Sequence, residues 1–332
     1  MDIVTTSSTS SFRQTRKEMM KIAIIGAGAM GSLFGARLAS LAEVWLVDAW
    51  AEHIEAIRRD GLRLINLDGS IWQVSVKATT DPAAVDDPVD LAIIFVKSYQ
   101  TAQAAAWAAP MLGADGLALT MQNGLGNLEV MAEVLGAERC VQGVTSHGAT
   151  LLGPGQVRHA GAAATYLATR PSIDARVRRI AELFTRAGFE THLSDNLDSL
   201  LWGKLVINVG INALTAILRV RNGVLAEVAP ARALMDAAVD EAVAVAQALG
   251  VTLPYADARA RTREVALATA ANRSSMLADV LRGFPTEIGV INGAIVREGA
   301  RLGIPTPVNQ TLVWLVQALE ATTAARVLAG GG

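Results

Sequence analysis

Cysteine is nearly absent: Cys140 is the single thiol in 332 residues. One thiol excludes an internal disulfide and a thiolate metal site, and it fits a reducing, cytoplasmic compartment. The four histidines, His53, His147, His159 and His192, lack ligand spacing, so no metal is expected. His147 and His159 fall in a strand-rich region and read as structural. Charge is scarce, at 18% of residues, and balanced: 29 Lys+Arg against 31 Asp+Glu leave a net −2. Such a chain has no electrostatic reason to hold nucleic acid or an anionic membrane. Low charge beside 52% hydrophobic residues also excludes global disorder. Long apolar runs are missing. The greasiest stretch, Leu205 to Leu218, contains Asn208, Asn212 and Thr215. It falls short of the roughly 18 residues a spanning helix needs, so no membrane partner is expected.

What is present is alternation. Residues 1–20 precede the first strand; from Met1 to about Glu18 they are Ser/Thr-rich without an apolar signal region, and with Arg13, Arg16 and Lys17 and little acid they weakly resemble an organelle transit peptide. They read as a disordered tail, or as an upstream start with the working start at Met19 or Met20. Strands are expected at Lys21–Ile25, Val44–Val47, Leu91–Val96 and Gly116–Thr120. Helices are expected between them at Ala29–Ser40, Ala51–Arg59, Gln100–Ala109 (stopped by Pro110) and Leu128–Leu135. Leu62–Leu67 and Ile71–Val76 flank the turn Asn66-Leu-Asp-Gly69 and suit a hairpin. Cys140–Ala168 is expected to add antiparallel strands that finish the sheet, followed by a helix at Ile173–Ala187 and a strand at Glu190–Leu193. Beyond Asn196 nearly everything reads as helix. The fold expected is an α/β, Rossmann-like, doubly wound dinucleotide-binding domain over 21–195 and an all-α substrate and catalytic domain over 196–330.

Gly26-Ala-Gly28-Ala29-Met30-Gly31 is G-x-G-x-x-G between a predicted strand and a predicted helix. In that context it is a dinucleotide fingerprint: a tight turn at Gly26, close approach of a pyrophosphate at Gly28, close helix–strand packing at Gly31. Asp48 ends the second strand, where a carboxylate accepts bonds from the ribose hydroxyls of NAD and repels the extra phosphate of NADP. Lys97 follows the strand Leu91–Val96, where an ammonium can meet a phosphate or simply face solvent. Asn123 ends the strand Leu117–Met121, on the edge where a nicotinamide would lie.

Lys204, Asn208 and Asn212 are spaced four apart, which puts them on one face of an otherwise greasy helix. Such a stripe requires either internal hydrogen bonds or a polar ligand. A lysine in an apolar setting suits a general acid, because desolvation brings its pKa toward working pH. A third cluster holds Asn272, Ser275 and Glu287. Glu287 sits among small and apolar residues and wants a partner, for which Lys204 is a candidate. The alternative is an exposed Glu287 beside helix caps at Ser274 or Thr286.

These motifs together, with Val96-Lys-Ser98, Gln122-Asn-Gly-Leu-Gly126, His159-Ala-Gly161, Leu201-Trp-Gly-Lys-Leu205, Ser274-Ser-Met-Leu277, Thr286-Glu-Ile288 and Ile291-Asn-Gly293, resemble the ketopantoate reductase (2-dehydropantoate 2-reductase) family from about Lys21 to Asn309. The resemblance implies hydride transfer from NAD(P)H to the ketone of a 2-oxo acid, 2-dehydropantoate, in pantothenate biosynthesis. It implies Lys204 as the acid that protonates the ketone oxygen. Glu287 would hold Lys204 and the substrate hydroxyl; Asn208, Asn212, Asn272 and Ser275 would bind substrate; Asn123 would lie beside the nicotinamide. It favours NADP, whereas Asp48 favours NAD. The chain departs from the common pattern at Asp48-Ala49, Phe284-Pro285 and Gly289. Those departures motivate an alternative, an NAD-dependent dehydrogenase of another D-2-hydroxy acid. A non-catalytic dinucleotide-binding sensor is a further alternative, and a homodimer through helical surfaces is plausible.

Overall fold

A computed structural model describes residues 19–325. The expected tail therefore lies, but for its last two residues, outside the described residues. The chain forms two compact units: one ends at Asp195, and the other begins at Asn196 and also takes in Asn123–Asn127.

The first unit opens β1 (Lys21–Ile25), α1 (Ala29–Leu38), β2 (Glu43–Val47), α2 (Ala51–Asp60), β3 (Leu62–Ile65), β4 (Ile71–Val74), β5 (Lys77–Thr79) and β6 (Val89–Ile94). It continues α3 (Thr101–Met111), β7 (Leu112–Thr120), α4 (Asn127–Leu135), β8 (Cys140–Thr145), β9 (Gly148–Gly153), β10 (Gln156–Gly161), β11 (Thr165–Ala168), α5 (Asp174–Arg186) and β12 (Thr191–Ser194). The main sheet runs β12-β11-β8-β7-β6-β1-β2-β5. Its strands from β5 to β8 are all parallel. Its central strands β1, β2 and β6 carry apolar runs, Ile22–Ile25, Val44–Val47 and Leu91–Ile94, as parallel strands covered by helices on both faces do.

Two expectations for this unit need correction. The strands of 140–168 do not all finish this sheet. β8 joins it in parallel and β11 antiparallel, but β9 and β10 form a second sheet with the 62–74 hairpin, ordered β4-β3-β10-β9. Burial along β10 alternates, with Val157 and His159 inward, so it has one face to bury, and α1 packs against it. Pro110 also does not stop its helix, because α3 continues to Met111 and Leu112 N–H bonds Ala108 O. A proline in the last turn forfeits only its own amide bond.

The α1 side of this unit buries aromatic rings. Phe34 stacks on Phe189 at 4.0 Å, and His147 sits edge-on to Phe189. Arg37 lies 3.4 Å from His159 Nδ1, whose Nε2 is 3.1 Å from His147 Nδ1. An arginine can only donate, so His159 accepts at Nδ1, carries its proton on Nε2 and donates to His147. Burial, then the nearby His159 and Arg37, push His147 down to about 4. This has a consequence for stability. The unfolded imidazole takes its proton near pH 6.5 and the folded one only near 4, so the neutral form favours folding above that window. His147 should therefore cost up to about 3 kcal/mol of stability as pH falls from 6.5 to 4. Thermal melts across that range should steepen relative to His147→Gln; equal slopes would refute the assignment.

The second unit is helical: α6 (Asp198–Leu218), α7 (Asn222–Glu227), α8 (Ala229–Ala248), α9 (Ala258–Ala268), α10 (Ser275–Arg282), α11 (Asn292–Leu302) and α12 (Pro307–Ala321). α6 is the hub and packs on α8, α9, α10 and α12. Its 21 residues are, contrary to expectation, long and apolar enough to span a membrane by length and composition, but 67% of the apolar window is buried within the protein. The greasiness of α6 thus belongs to a core helix. A polar knot locks the helices around it. Asn292 Nδ2 donates to Val209 O and Asn309 Oδ1. Glu241 of α8 accepts from the Val308 and Asn309 amides at the start of α12. A carboxylate there satisfies helix N–H groups that have no intrahelical partner.

Candidate active site

Counted along the chain, the parallel strands β5-β2-β1-β6-β7-β8 are ordered 3-2-1-4-5-6, so the order reverses between β1 and β6. Open α/β sheets bind ligands outside the strand carboxyl ends at that point. Gly26, Asp48 and Lys97 all follow carboxyl ends there.

Gly26 has φ +99°, and a Cβ on it would meet Val96 N at 2.6 Å. Only glycine can turn there against the neighbouring strand. Gly26 N–H donates to Val47 O, which pins the loop to β2. A Cβ on Gly31 would overlap the Gly26 carbonyl oxygen, whereas one on Gly28 would meet nothing within 4 Å. The backbone at Gly28 is therefore open to an approaching group. Helix α1 has no side-chain cap and no acid in its first turn, around Ala29 and Met30. Open amides at a helix N-terminus fit a pyrophosphate, so this loop fits NAD(P).

Asp48 does more than the sequence suggests. Its Oδ2 accepts from Ala27 N–H and its Oδ1 from Trp50 N–H, so it also shapes the glycine loop. Each oxygen keeps a second lone pair for a ribose hydroxyl. Two supporting residues are absent from the candidate set. His53 is wholly buried, accepts at Nδ1 from Gly155 N–H and reaches Ser32 Oγ, which donates to Ala27 O. Gln122 Nε2 donates to Val96 O and Thr101 Oγ1, tying the end of β7 to that of β6. The signal for Gln122 was its place in the Gln122–Gly126 motif. His53 carried none, because its partners are distant in sequence.

The second unit holds the other candidates. Lys204, Asn208 and Asn212 share one face of α6, with Lys204 and Asn208 half-buried and Asn212 buried. Glu287, expected either to pair or to lie exposed, is buried at 6% exposure and acts electrostatically on Lys204. Desolvation pushes the Lys204 ammonium down to about 8, and the Glu287 charge opposes that fall. The result is a proton donor near neutral pH.

The loop carrying Glu287 is stapled to the turn carrying Asn123. Leu125 N–H donates to Val290 O. A Cβ on Gly124 would meet that same oxygen at 2.5 Å. Asn127 Nδ2 donates to Asn123 O. Asn272 and Ser275 are exposed at the start of α10. Ser274, by contrast, is the cap of α10: its Oγ accepts from Leu277 N–H and from Thr215 Oγ of α6. Near Lys204, Tyr255 OH donates to Gly203 O at 2.8 Å, and a Cβ on Gly203 would meet Pro254 at 2.7 Å. Burial raises the Tyr255 phenol to about 12, so it remains a donor. The glycine loop, Asp48 and Lys97 belong to the first unit; Asn123, Lys204, Glu287 and the remaining candidates belong to the second.

Comparison with known proteins identifies the family of the chain. The family model "Ketopantoate reductase PanE/ApbA" matches residues 22–172, and its C-terminal counterpart matches 196–320. The chain is 41% identical over 303 residues to a 2-dehydropantoate 2-reductase of Halobacterium salinarum, covering 90% of this chain and 98% of that one. A PanE/ApbA family ketopantoate reductase from Ralstonia eutropha JMP134 has a similar structure: TM-score 0.85, 37% identity, 92% of this chain and 100% of the other covered. So does a D-mandelate dehydrogenase solved with NADH and anilino(oxo)acetate, with TM-score 0.85, 31% identity and the same coverage. Two matched domains and full-length similarity establish that this chain belongs to the ketopantoate reductase PanE/ApbA family.

Proposed function

We propose that this chain is an NAD(P)H-dependent reductase of a 2-oxo acid, with 2-dehydropantoate as substrate and pantoate as product. The observation that carries the reading is a lysine poised near pH 8 beside a buried carboxylate, on a helix face that continues into two asparagines. A bound nicotinamide supplies the hydride that ketone reduction needs. The protein's part is the proton and the geometry. Lys204 donates its Nζ proton to the ketone oxygen, and Glu287 holds the ammonium and the substrate hydroxyl. Asn208 and Asn212, with Asn272 and Ser275, offer uncharged donors and acceptors to the carboxylate and hydroxyl oxygens. Gly26–Gly31 with Ala29 and Met30 binds the pyrophosphate, Asp48 the ribose, Lys97 the adenosine side, and Asn123 the carboxamide end. The single buried thiol accords with a cytoplasmic place.

A second reading has support of its own. Asp48 stands where it would repel a 2′-phosphate, and the similarity to the NADH-bound D-mandelate dehydrogenase is as good structurally as that to the reductase. It makes the chain an NADH-dependent enzyme for a bulkier 2-hydroxy acid. A panel of 2-oxo acids assayed with NADH and NADPH separates the two. The first reading expects 2-dehydropantoate to exceed every other acid by more than about tenfold in kcat/KM, the scale of one well-discriminated pocket contact. An aryl 2-oxo acid in first place would install the second. Cofactor binding without turnover of any acid would remove both in favour of a sensor.

A further inference from the structure

Glu320 lies one residue before the end of α12, at the wrong end of a helix for its charge. The last turn of α12 carries no basic residue to offset it, and a carboxylate there is disfavoured by the helix dipole. The side chain has another partner. Its Oε1 accepts from Thr286 N–H at 2.8 Å, across 34 residues of chain. Thr286 immediately precedes Glu287. Pro285 has no N–H to offer, so Thr286 is where the backbone entering Glu287 can be held. Beyond it the loop is tied by other bonds: Ile288 N–H to Thr286 Oγ, Val290 N–H to Glu287 O, and Arg297 to Gly289 O. The Glu320 bond has a charged acceptor, which makes it stronger than a neutral one.

We propose that Glu320 is a positioning residue for the reduction: by fixing the Thr286 amide it sets Glu287 against Lys204. This rests on the reading of Lys204 and Glu287 given above. Misplacing a catalytic group by about 1 Å costs roughly 100-fold in rate. Glu320→Ala should lower kcat for 2-dehydropantoate reduction by about 10- to 100-fold, with KM for the nicotinamide cofactor unchanged. The basic limb of its kcat–pH profile should move to lower pH, because Lys204 loses part of the field of Glu287. Glu320→Gln, whose Oε1 still accepts from Thr286 N–H, should restore both. Glu320→Asp, one methylene short, gives the same direction as Ala should the alanine variant not fold. A wild-type kcat and pH limb in Glu320→Ala, or a glutamine variant as impaired as the alanine one, overturns the proposal. If Lys204→Ala abolishes turnover while Glu320→Ala leaves it intact, only the role of Glu320 falls. If Lys204→Ala leaves turnover intact, the reading beneath falls and takes this one with it.

Discussion

Lys204→Ala is expected to lose about 10²–10⁴-fold in kcat, the ordinary contribution of a positioned acid, while cofactor affinity is unchanged. The two parts of that expectation have separate physical sources. The ketone oxygen gains negative charge as hydride arrives, and without a donor beside it the proton must come from water. With its pKa near 8, Lys204 is mostly protonated at pH 7 and gives up its proton at modest cost. Cofactor affinity is insulated because the glycine loop and Asp48 are held in the other unit. Lys204→Arg should not rescue: a guanidinium keeps the charge but does not release a proton near neutral pH. Stopped-flow binding of the reduced cofactor and steady-state turnover, measured on one preparation, check both halves. Wild-type turnover in Lys204→Ala would remove Lys204 from the reaction altogether, and rescue by arginine would mean that it serves charge alone.

Much of this was legible before the structure because the information is local. β1 needed only a β-branched run and α1 only the glycines that precede it. Lys204, Asn208 and Asn212 announce themselves by spacing, because polar residues at a four-residue interval on a greasy helix have no other simple account. What escaped is what depends on distant pairing. No periodicity tells β10 to leave the main sheet and pair with β3; that choice is made by α1, whose far side needs covering. Nor could spacing show that Asp48 spends bonds on Ala27 and Trp50, or that Glu320 reaches Thr286. The partnership of Glu287 with Lys204 was only a candidacy, because a buried carboxylate and an exposed one look alike in sequence. Burial and field decided it.

The glycine loop allows the sharpest separation of folding from binding, through two substitutions three residues apart. Gly31→Ala places a methyl group inside the Gly26 carbonyl oxygen and close to Ile24. Neither can yield easily. Gly26 is anchored to Val47 and turned at positive φ, Ile24 is in the sheet core, and α1 carries Phe34 into the aromatic stack. The helix must shift off the strand, which costs about 1–3 kcal/mol by the usual scale of overpacking. Gly31→Ala should therefore melt at lower temperature and also bind cofactor more than about tenfold less tightly, since a 1.4 kcal/mol change is a factor of ten. Gly28→Ala differs. Its new methyl group meets nothing, and its φ of −60° suits any residue, so the protein should melt as wild type. The methyl group nevertheless occupies the space in which a pyrophosphate would meet the backbone, so cofactor affinity should fall by a similar factor. If Gly28→Ala binds cofactor normally, the loop is a packing device and the dinucleotide lies elsewhere. If its stability also falls, the open space at Gly28 is not open in solution.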